Sequence, residues 1–476
     1  MRNFYITTSI AYTNALPHIG FALEIIQADV IARYHRILGE DVFFLTGTDE
    51  HGRKVAEAAE KANKSPKEFT NKISSHFKDL TKILNISKDD FIRTTDQRRH
   101  WPTVRKVWLK LKEKGDIYKK KYQGLYCVGC ESFITRKDLV EGKCLLHLRF
   151  PEVVEEENYF FRLSKYSKKI GEILKRNKIK IIPETRKNEM LSFIKNGLED
   201  VSFSRPRKDL SWGIKVPDDE TQTIYVWADA LTNYISLIDY ASKLKKYWPA
   251  DLHCVGKDIF KFHSLIWPGM LLSLSLALPK AILVHGFITV GGQKMSKSLG
   301  NIIDPFELVK KYGTDAVRYF LLREIPPTED GDFTYEKFEK RYNSDLAGGL
   351  GNLVARVIAM AKNSKSEALN PKQTLNSKFK TEINKTLREY HRALENFKLN
   401  EGLIAIWELI SFCDKYVEKE QPWKESKKQK EVIGNLLLVI SQIAEMLKPF
   451  LPKTSEKIVS QLKTCRTKPL FPRLMA

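Results

Sequence analysis

No apolar run in the chain is long enough to cross a bilayer. Its first residues pass directly into a β-rich run, without the basic and apolar regions of a secretion signal. The location implied is the cytoplasm, with no membrane partner. Six cysteines in 476 residues are too few for a disulfide framework. Internal repeats and low-complexity tracts are lacking, which excludes solenoids and disordered scaffolds. Acidic residues are in deficit. Asp and Glu number 58 against 80 Lys and Arg, for a net charge of +22. That excess suits a polyanionic partner, although a lysine-rich genome would produce it as well. Apolar content of 42% fits a globular protein, and the length fits roughly two to four domains.

Against this background one stretch stands out: Gly291-Gly292-Gln293-Lys294-Met295-Ser296-Lys297-Ser298-Leu299-Gly300. Residues 281–290 before it read as a buried strand, and Asp304-Pro305 after it as a helix start. The lysines therefore sit on a glycine-flanked loop after a strand. Mobile ammonium groups there suit a polyphosphate, because they can close on charge as it develops.

Near the N-terminus, residues 4–9 read as a strand, residues 18–38 as a long helix stopped by Gly39, and residues 41–47 as a second strand. Strand, helix, strand in this spacing is a βαβ unit and implies a parallel sheet. Ligands bind beyond the carboxyl ends of such strands. His18 falls there, on a helix N-terminus that favours anions, and Gly20 allows close approach to the backbone. The run Thr46-Gly47-Thr48-Asp49-Glu50-His51-Gly52 follows the second strand. Asp49 is either a helix cap or a carboxylate that faces a substrate ammonium.

Residues 53–115 read as lysine-rich helices. Two knuckles follow, Cys127-Val128-Gly129-Cys130 and Cys144-Leu145-Leu146-His147. Three thiolates and an imidazole make a tetrahedral set that suits a structural Zn2+, with no position left open. Residues 223–227 read as a β-rich run and residues 253–259 as a strand entering a loop. His263 and Trp267 stand on one helix face, residues 305–323 form a helix, and residues 324–334 a loop. From residue 335 the pattern is helical, ending in an amphipathic run at 432–447.

The run Lys294-Met295-Ser296-Lys297-Ser298 resembles the second signature of class I aminoacyl-tRNA synthetases, and Pro17-His18-Ile19-Gly20-Phe21 resembles their first. The segment around Asp49, the knuckles, Tyr225-Val226-Trp227-Ala228-Asp229-Ala230 and Gly256-Lys257-Asp258-Ile259 are similar to the methionyl-tRNA synthetases in particular. The resemblance covers essentially the whole chain. It implies an α/β Rossmann-like parallel-sheet catalytic domain with a zinc-bearing connective insert, followed by an all-α helical-bundle anticodon-binding domain. The implied division is 1–115 and 223–290 for the halves of the catalytic domain, 116–222 for the insert, 291–345 for the lysine loop and stem-contact region, and 346–476 for the helical domain. The implied activity is ATP-dependent formation of methionyl-adenylate and transfer to the 3′ end of tRNA(Met), with Mg2+ carried by the ATP.

By the same resemblance His18, Lys294 and Lys297 are catalytic. His18, Gly20, Phe21, Gly256, Asp258, Lys294 and Lys297 hold ATP. Ile10, Tyr12, Asp49, Trp227, Ala230, Leu231, Tyr234, Ile259, His263 and Trp267 hold methionine. Asn352, Arg356 and Trp423 read the anticodon, with helix-packing core as the competing reading of Trp423. Cys127, Cys130, Cys144 and His147 hold zinc. The short insert implies no separate editing domain, and a chain ending at residue 476 without the extra C-terminal dimerisation domain of some relatives implies a monomer. Phe21 departs from the family, which usually has a second histidine there; Phe cannot donate a hydrogen bond to ATP. Rival readings are a synthetase for cysteine or leucine and an inactive paralogue that only binds tRNA.

Overall fold

The computed structural model describes residues 2–134, 138–145, 148–295, 300–363, 375–424 and 426–474. They fall into two units. The first comprises Met1–Pro17, Gly39–Thr81 and Lys88–His285; the second comprises His18–Leu38, Lys82–Ser87 and Gly286–Ala476.

The first unit is built on a seven-stranded sheet in the order Lys180–Ile182, Ala281–His285, Leu252–Gly256, Asn3–Thr8, Asp41–Asp49 and Ala11–Tyr12, with Asp90–Arg93 also paired to Asp41–Asp49. Every pairing in it is parallel. Parallel strands are covered on both faces, which explains the unbroken apolar runs Phe4-Tyr5-Ile6 and Val42-Phe43-Phe44-Leu45. Thr7 is level with Leu45 and with His253, and His253 with Ile282. The carboxyl ends of four strands therefore open along one edge, where such sheets bind ligands. The unit also carries an antiparallel sheet of Val201–Ser202, Glu152–Phe161, Ile117–Cys127 and Ser132–Ile134. Lys180–Ile182 lies inside the stretch assigned to the insert from sequence, yet pairs with Ala281–His285 in the main sheet.

The second unit begins with the helix Ile19–Ile37 and continues with a small sheet of Ile288–Val290, Gln293–Lys294 and Gly331–Phe333. Helices then follow almost without interruption. Asn352–Asn363, Ser377–Glu395, Leu399–Glu420, Gln429–Leu447 and Pro452–Thr464 pack on one another through buried apolar stripes. Arg318 is fully buried in this unit. It pairs with Asp29 at 2.7 Å and donates to the carbonyls of Leu84, Pro449 and Phe450. No helix among the described residues is long and apolar enough to cross a membrane.

Local expectations are corrected in several places. The strand expected at 223–227 stops at Ile224, and Val226–Leu231 is a helix, because the Asp229 N–H bonds the Tyr225 carbonyl at 3.1 Å. Asp90–Arg93 is a strand within the stretch expected to be helical. The helix expected at 305–323 is two, Pro305–Tyr312 and Thr314–Glu324, divided at Gly313 where φ is 86°. The run 281–290 divides into Ala281–His285 and Ile288–Val290, and the loop 324–334 contains the strand Gly331–Phe333.

Candidate active site

In the first unit two of the residues expected to hold an amino-acid side chain, His263 and Trp267, meet at a third, Tyr234. Its hydroxyl bonds His263 Nε2 at 2.7 Å, and its ring lies 5.7 Å from that of His263 and 5.8 Å from that of Trp267. His263 Nδ1 is 3.0 Å from the Ile259 carbonyl, an acceptor only, so Nδ1 carries the proton and Nε2 accepts from Tyr234. Burial lowers the His263 pKa to about 4, so the ring is neutral at pH 7. The backbone at Phe262–Ile266 is π-helical rather than α-helical, and His263 and Trp267 still both face Tyr234. Trp227, on the helix Val226–Leu231 with buried Ala230 and Leu231, stacks on Phe262 at 3.8 Å and meets His263 edge-on at 6.2 Å. Ile10 packs on the cluster of Tyr5 and Phe43.

Asp49 ends the strand Asp41–Asp49, and Gly52 is the residue at the start of the next helix, Arg53–Lys61. The cap reading of Asp49 therefore falls. Its carboxylate is buried, and Oδ1 has no hydrogen-bond partner. Burial, then the charges of Asp229, Glu131 and Glu50, push this carboxyl well above the ordinary range. A buried, unpartnered acceptor among other carboxylates is suited to a cation. Asp229 itself is held by His51 and His100, each at 2.7 Å. Burial raises its pKa, but the two histidines outweigh that and leave it lowered. Tyr12, level with Asp49 in the sheet, donates its hydroxyl to Glu131 at 2.5 Å. Burial, then the charges of Glu131 and Asp49, keep that hydroxyl protonated.

Glu131, Phe262, His51, His100 and Asp229 were not among the residues singled out from sequence. His51 and Asp229 stood inside quoted runs, but nothing in their spacing announces that they meet. Gly256 and Asp258 follow the carboxyl end of Leu252–Gly256; Asp258 is exposed, and a Cβ on Gly256 would lie 2.8 Å from its carboxylate.

In the second unit His18 caps the helix Ile19–Ile37. Its Nδ1 accepts the Gly20 N–H at 3.0 Å, which leaves Nε2 to carry the proton. A Cβ on Gly20 would sit 2.8 Å from His18 Cε1 and 3.6 Å from Met295 Cε, so only glycine permits this cap beside the lysine loop. Phe21 follows in the first turn, its N–H on the His18 carbonyl. Gly291 and Gly292 have φ of 58° and 77°, and the Gly292 N–H bonds Asp332 at 2.7 Å. Lys294 is exposed on the strand Gln293–Lys294, its ammonium 5.7 Å from the Phe287 ring centre. Lys297 lies outside the described residues.

The sulfurs of Cys127, Cys130 and Cys144 all lie within 4.8 Å of one another. None forms a disulfide, and the Cys127 sulfur accepts the Cys130 N–H at 3.4 Å. Three converging soft donors fit a zinc ion. Burial, then the Cys127 charge, raises the Cys130 thiol. His147 lies outside the described residues.

In the helical region Asn352 is exposed and Arg356 stands one turn later, paired to Glu418 at 2.7 Å. The Arg356 guanidinium is 6.0 Å from the ring centre of Trp423, which is 48% exposed. That exposure removes the core reading of Trp423.

A family model described as tRNA synthetases class I (M) matches residues 4–147 and 134–358, and one described as anticodon-binding domain of tRNA ligase matches residues 376–471. The chain is 46% identical to a methionine–tRNA ligase of Thermotoga maritima over 470 residues, covering 96% of this chain and 74% of the relative. It is 40% identical to one of Brucella suis, covering 99% of this chain and 94% of the relative. Among solved structures, Mycobacterium tuberculosis methionyl-tRNA synthetase in complex with methionyl-adenylate matches with a TM-score of 0.93 at 37% identity, covering 99% of this chain and 100% of that one.

Proposed function

The chain belongs to the class I methionyl-tRNA synthetases, and from that premise we propose how its residues divide the work. It is a methionine–tRNA ligase, which uses ATP to activate methionine and transfers it to tRNA. The rival amino acids and the inactive paralogue give way to this reading. What carries the residue assignment is Asp49, a buried carboxylate with an unpartnered oxygen, in one unit with the Tyr234–His263–Trp267 cluster.

In the first step the methionine carboxylate attacks the α-phosphorus of ATP, the bond to the β-phosphate oxygen breaks, and pyrophosphate leaves. No covalent work falls to the protein, which positions two anions and stabilises charge on the leaving group. Asp49 takes the methionine ammonium. Tyr12, Ile10, Trp227, Ala230, Leu231, Tyr234, Ile259, His263 and Trp267 enclose the side chain, with sulfur against aromatic rings worth about 0.3–1.5 kcal/mol. Gly256 lets the ribose approach the backbone, and Asp258 accepts its hydroxyls. His18, with Gly20 behind it, offers its Nε2–H to the phosphates at a helix N-terminus. Lys294 and Lys297 bind the leaving phosphates. Mg2+ enters with ATP, as part of the substrate. Phe21 replaces a hydrogen-bond donor, so His18 and the lysines carry the phosphate contacts.

In the second step the 3′ hydroxyl of the tRNA attacks the methionyl carbonyl and AMP leaves. Asn352, Arg356 and Trp423 face the anticodon, the Trp ring for base stacking and the Arg and Asn for base edges. Cys127, Cys130, Cys144 and His147 hold one structural zinc, which shapes the knuckle and takes no part in either step. The roles are tested by single-turnover adenylate formation in Lys297→Ala and by metal analysis of Cys127→Ser. The first should slow with methionine affinity retained, and the second should lose zinc. An unchanged rate or full zinc content contradicts the corresponding role.

A further inference from the structure

Glu131 directly follows Cys130 and is almost wholly buried, yet no guanidinium pairs with it among the described residues. Its backbone is left-handed, with φ of 49°, a conformation that a side chain with a Cβ disfavours. Its carboxylate reaches Tyr12, which is level with Asp49 in the sheet. One oxygen accepts the Tyr12 hydroxyl at 2.5 Å, and the other accepts the Lys54 N–H at 2.8 Å. The helix Arg53–Lys61 has no side-chain cap from Gly52, so Glu131 supplies from a distant segment what a local cap would give. A Cβ on Gly52 would lie 2.5 Å from Tyr12 Oη and 3.0 Å from both Glu131 oxygens, so the three residues meet on the Gly52 Cα. In return the Lys54 ammonium donates to the Gly129 carbonyl inside the knuckle. The knuckle and the helix that follows Asp49 are thus latched in both directions.

We propose that Glu131 is a positioning residue for amino-acid recognition. It fixes the Tyr12 ring beside Asp49 through the phenolic hydroxyl, and it makes the cysteine knuckle a support of the substrate site as well as a fold element. The inference rests on the reading that Tyr12 lines the methionine site. A carboxylate is suited to the task because its two oxygens accept from a hydroxyl and an N–H at once. A glutamine at this position has one accepting oxygen and turns an NH2 donor toward the remaining donor.

The experiment is methionine-dependent pyrophosphate exchange on the full chain carrying E131Q, E131D, Y12F and the double E131Q/Y12F. Active-site concentration is fixed by adenylate titration and zinc content is measured in each. E131Q and Y12F should each raise the methionine KM about tenfold, equivalent to about 1.4 kcal/mol. The KM for ATP should not move, and kcat should stay within about twofold. The double variant should match the larger single effect rather than the product. E131D keeps the charge for the helix N–H but is one methylene too short for Tyr12, so it should reproduce Y12F even if E131Q folds poorly. A role in folding alone would lower the active fraction and leave KM untouched, which overturns the proposal. An unchanged methionine KM in E131D beside a raised one in Y12F overturns it too, and leaves the Tyr12 reading standing. An unchanged KM in Y12F overturns both.

Discussion

The Tyr234 hydroxyl donates to His263 Nε2 at 2.7 Å, and the direction of that bond is set by the Ile259 carbonyl on the far side of the imidazole. The phenolic O–H is thereby committed to the imidazole, and burial keeps that imidazole neutral, so it sets no charge against a thioether. Tyr234→Phe should weaken the preference for methionine over an analogue with a methylene in place of sulfur. The ratio of kcat/KM values should fall by roughly 10-fold, within the range of one lost polar contact. Measuring exchange with both substrates checks this, and an unchanged ratio excludes Tyr234 from sulfur recognition.

With Asp49 as the proposed partner of the methionine ammonium, methionine binding should depend on pH. Its carboxyl titrates well above the usual range in the free site, because of burial and the charges of Asp229, Glu131 and Glu50. A bound ammonium favours the carboxylate and lowers that pKa. Binding therefore releases a proton at pH values between the two, and methionine affinity should rise with pH until the free group is ionised. Asp49→Asn should abolish this rise and raise the methionine KM by 10-fold or more, on the order of 1.4 kcal/mol per tenfold. Methionine titrations from pH 5.5 to 8 in both proteins provide the check; parallel profiles contradict the role.

Asp29 and Arg318 set the acid stability of the second unit. Burial raises the Asp29 pKa, but Arg318, Arg33 and Ser87 outweigh it, so the folded value lies below the usual one. A depressed carboxylate contributes stability above its unfolded pKa and loses it as pH falls through the folded value. The contribution should therefore begin to fall below about pH 4 and be lost only as pH drops below the folded value. Asp29→Asn leaves the buried guanidinium uncompensated and should destabilise by about 3–5 kcal/mol at pH 7. Chemical denaturation at pH 7 and pH 3.5 measures the difference, which should shrink at the lower pH.

Trp423→Ala should reduce aminoacylation and spare exchange. The ring is half exposed beside Arg356, so truncation should lower the thermal midpoint little. Loss of base stacking should lower kcat/KM for tRNA by about 1–3 kcal/mol. A normal ratio of aminoacylation to exchange would contradict the anticodon role.

Much of this was legible in the chain. Strand, helix and strand at residues 4–47 announced the parallel sheet, because strands covered on both faces read as continuous apolar runs. The Gly20 step and the lysine loop suggest a phosphate site through residue types that few other tasks need together. Other features had no local signal. Tyr225-Val226-Trp227 has the composition of a strand, but Tyr225 is used by a backbone bond to Phe203 at 2.8 Å and the helix begins there. Asp90–Arg93 has only two apolar residues, and tertiary pairing makes it a strand. Glu131 meets Tyr12 from 119 positions away, and Asp229 meets His51 from 178. Such partnerships are properties of the sheet edge that gathers them, not of any window of sequence.

Pyrophosphate–ATP exchange with each amino acid in turn tests the central claim most directly. Methionine should support exchange, and leucine and cysteine should fall below it in kcat/KM by roughly 10–200-fold or more, the discrimination available to a shaped apolar site. Exchange driven equally by leucine or cysteine, or no exchange with methionine, would contradict the account.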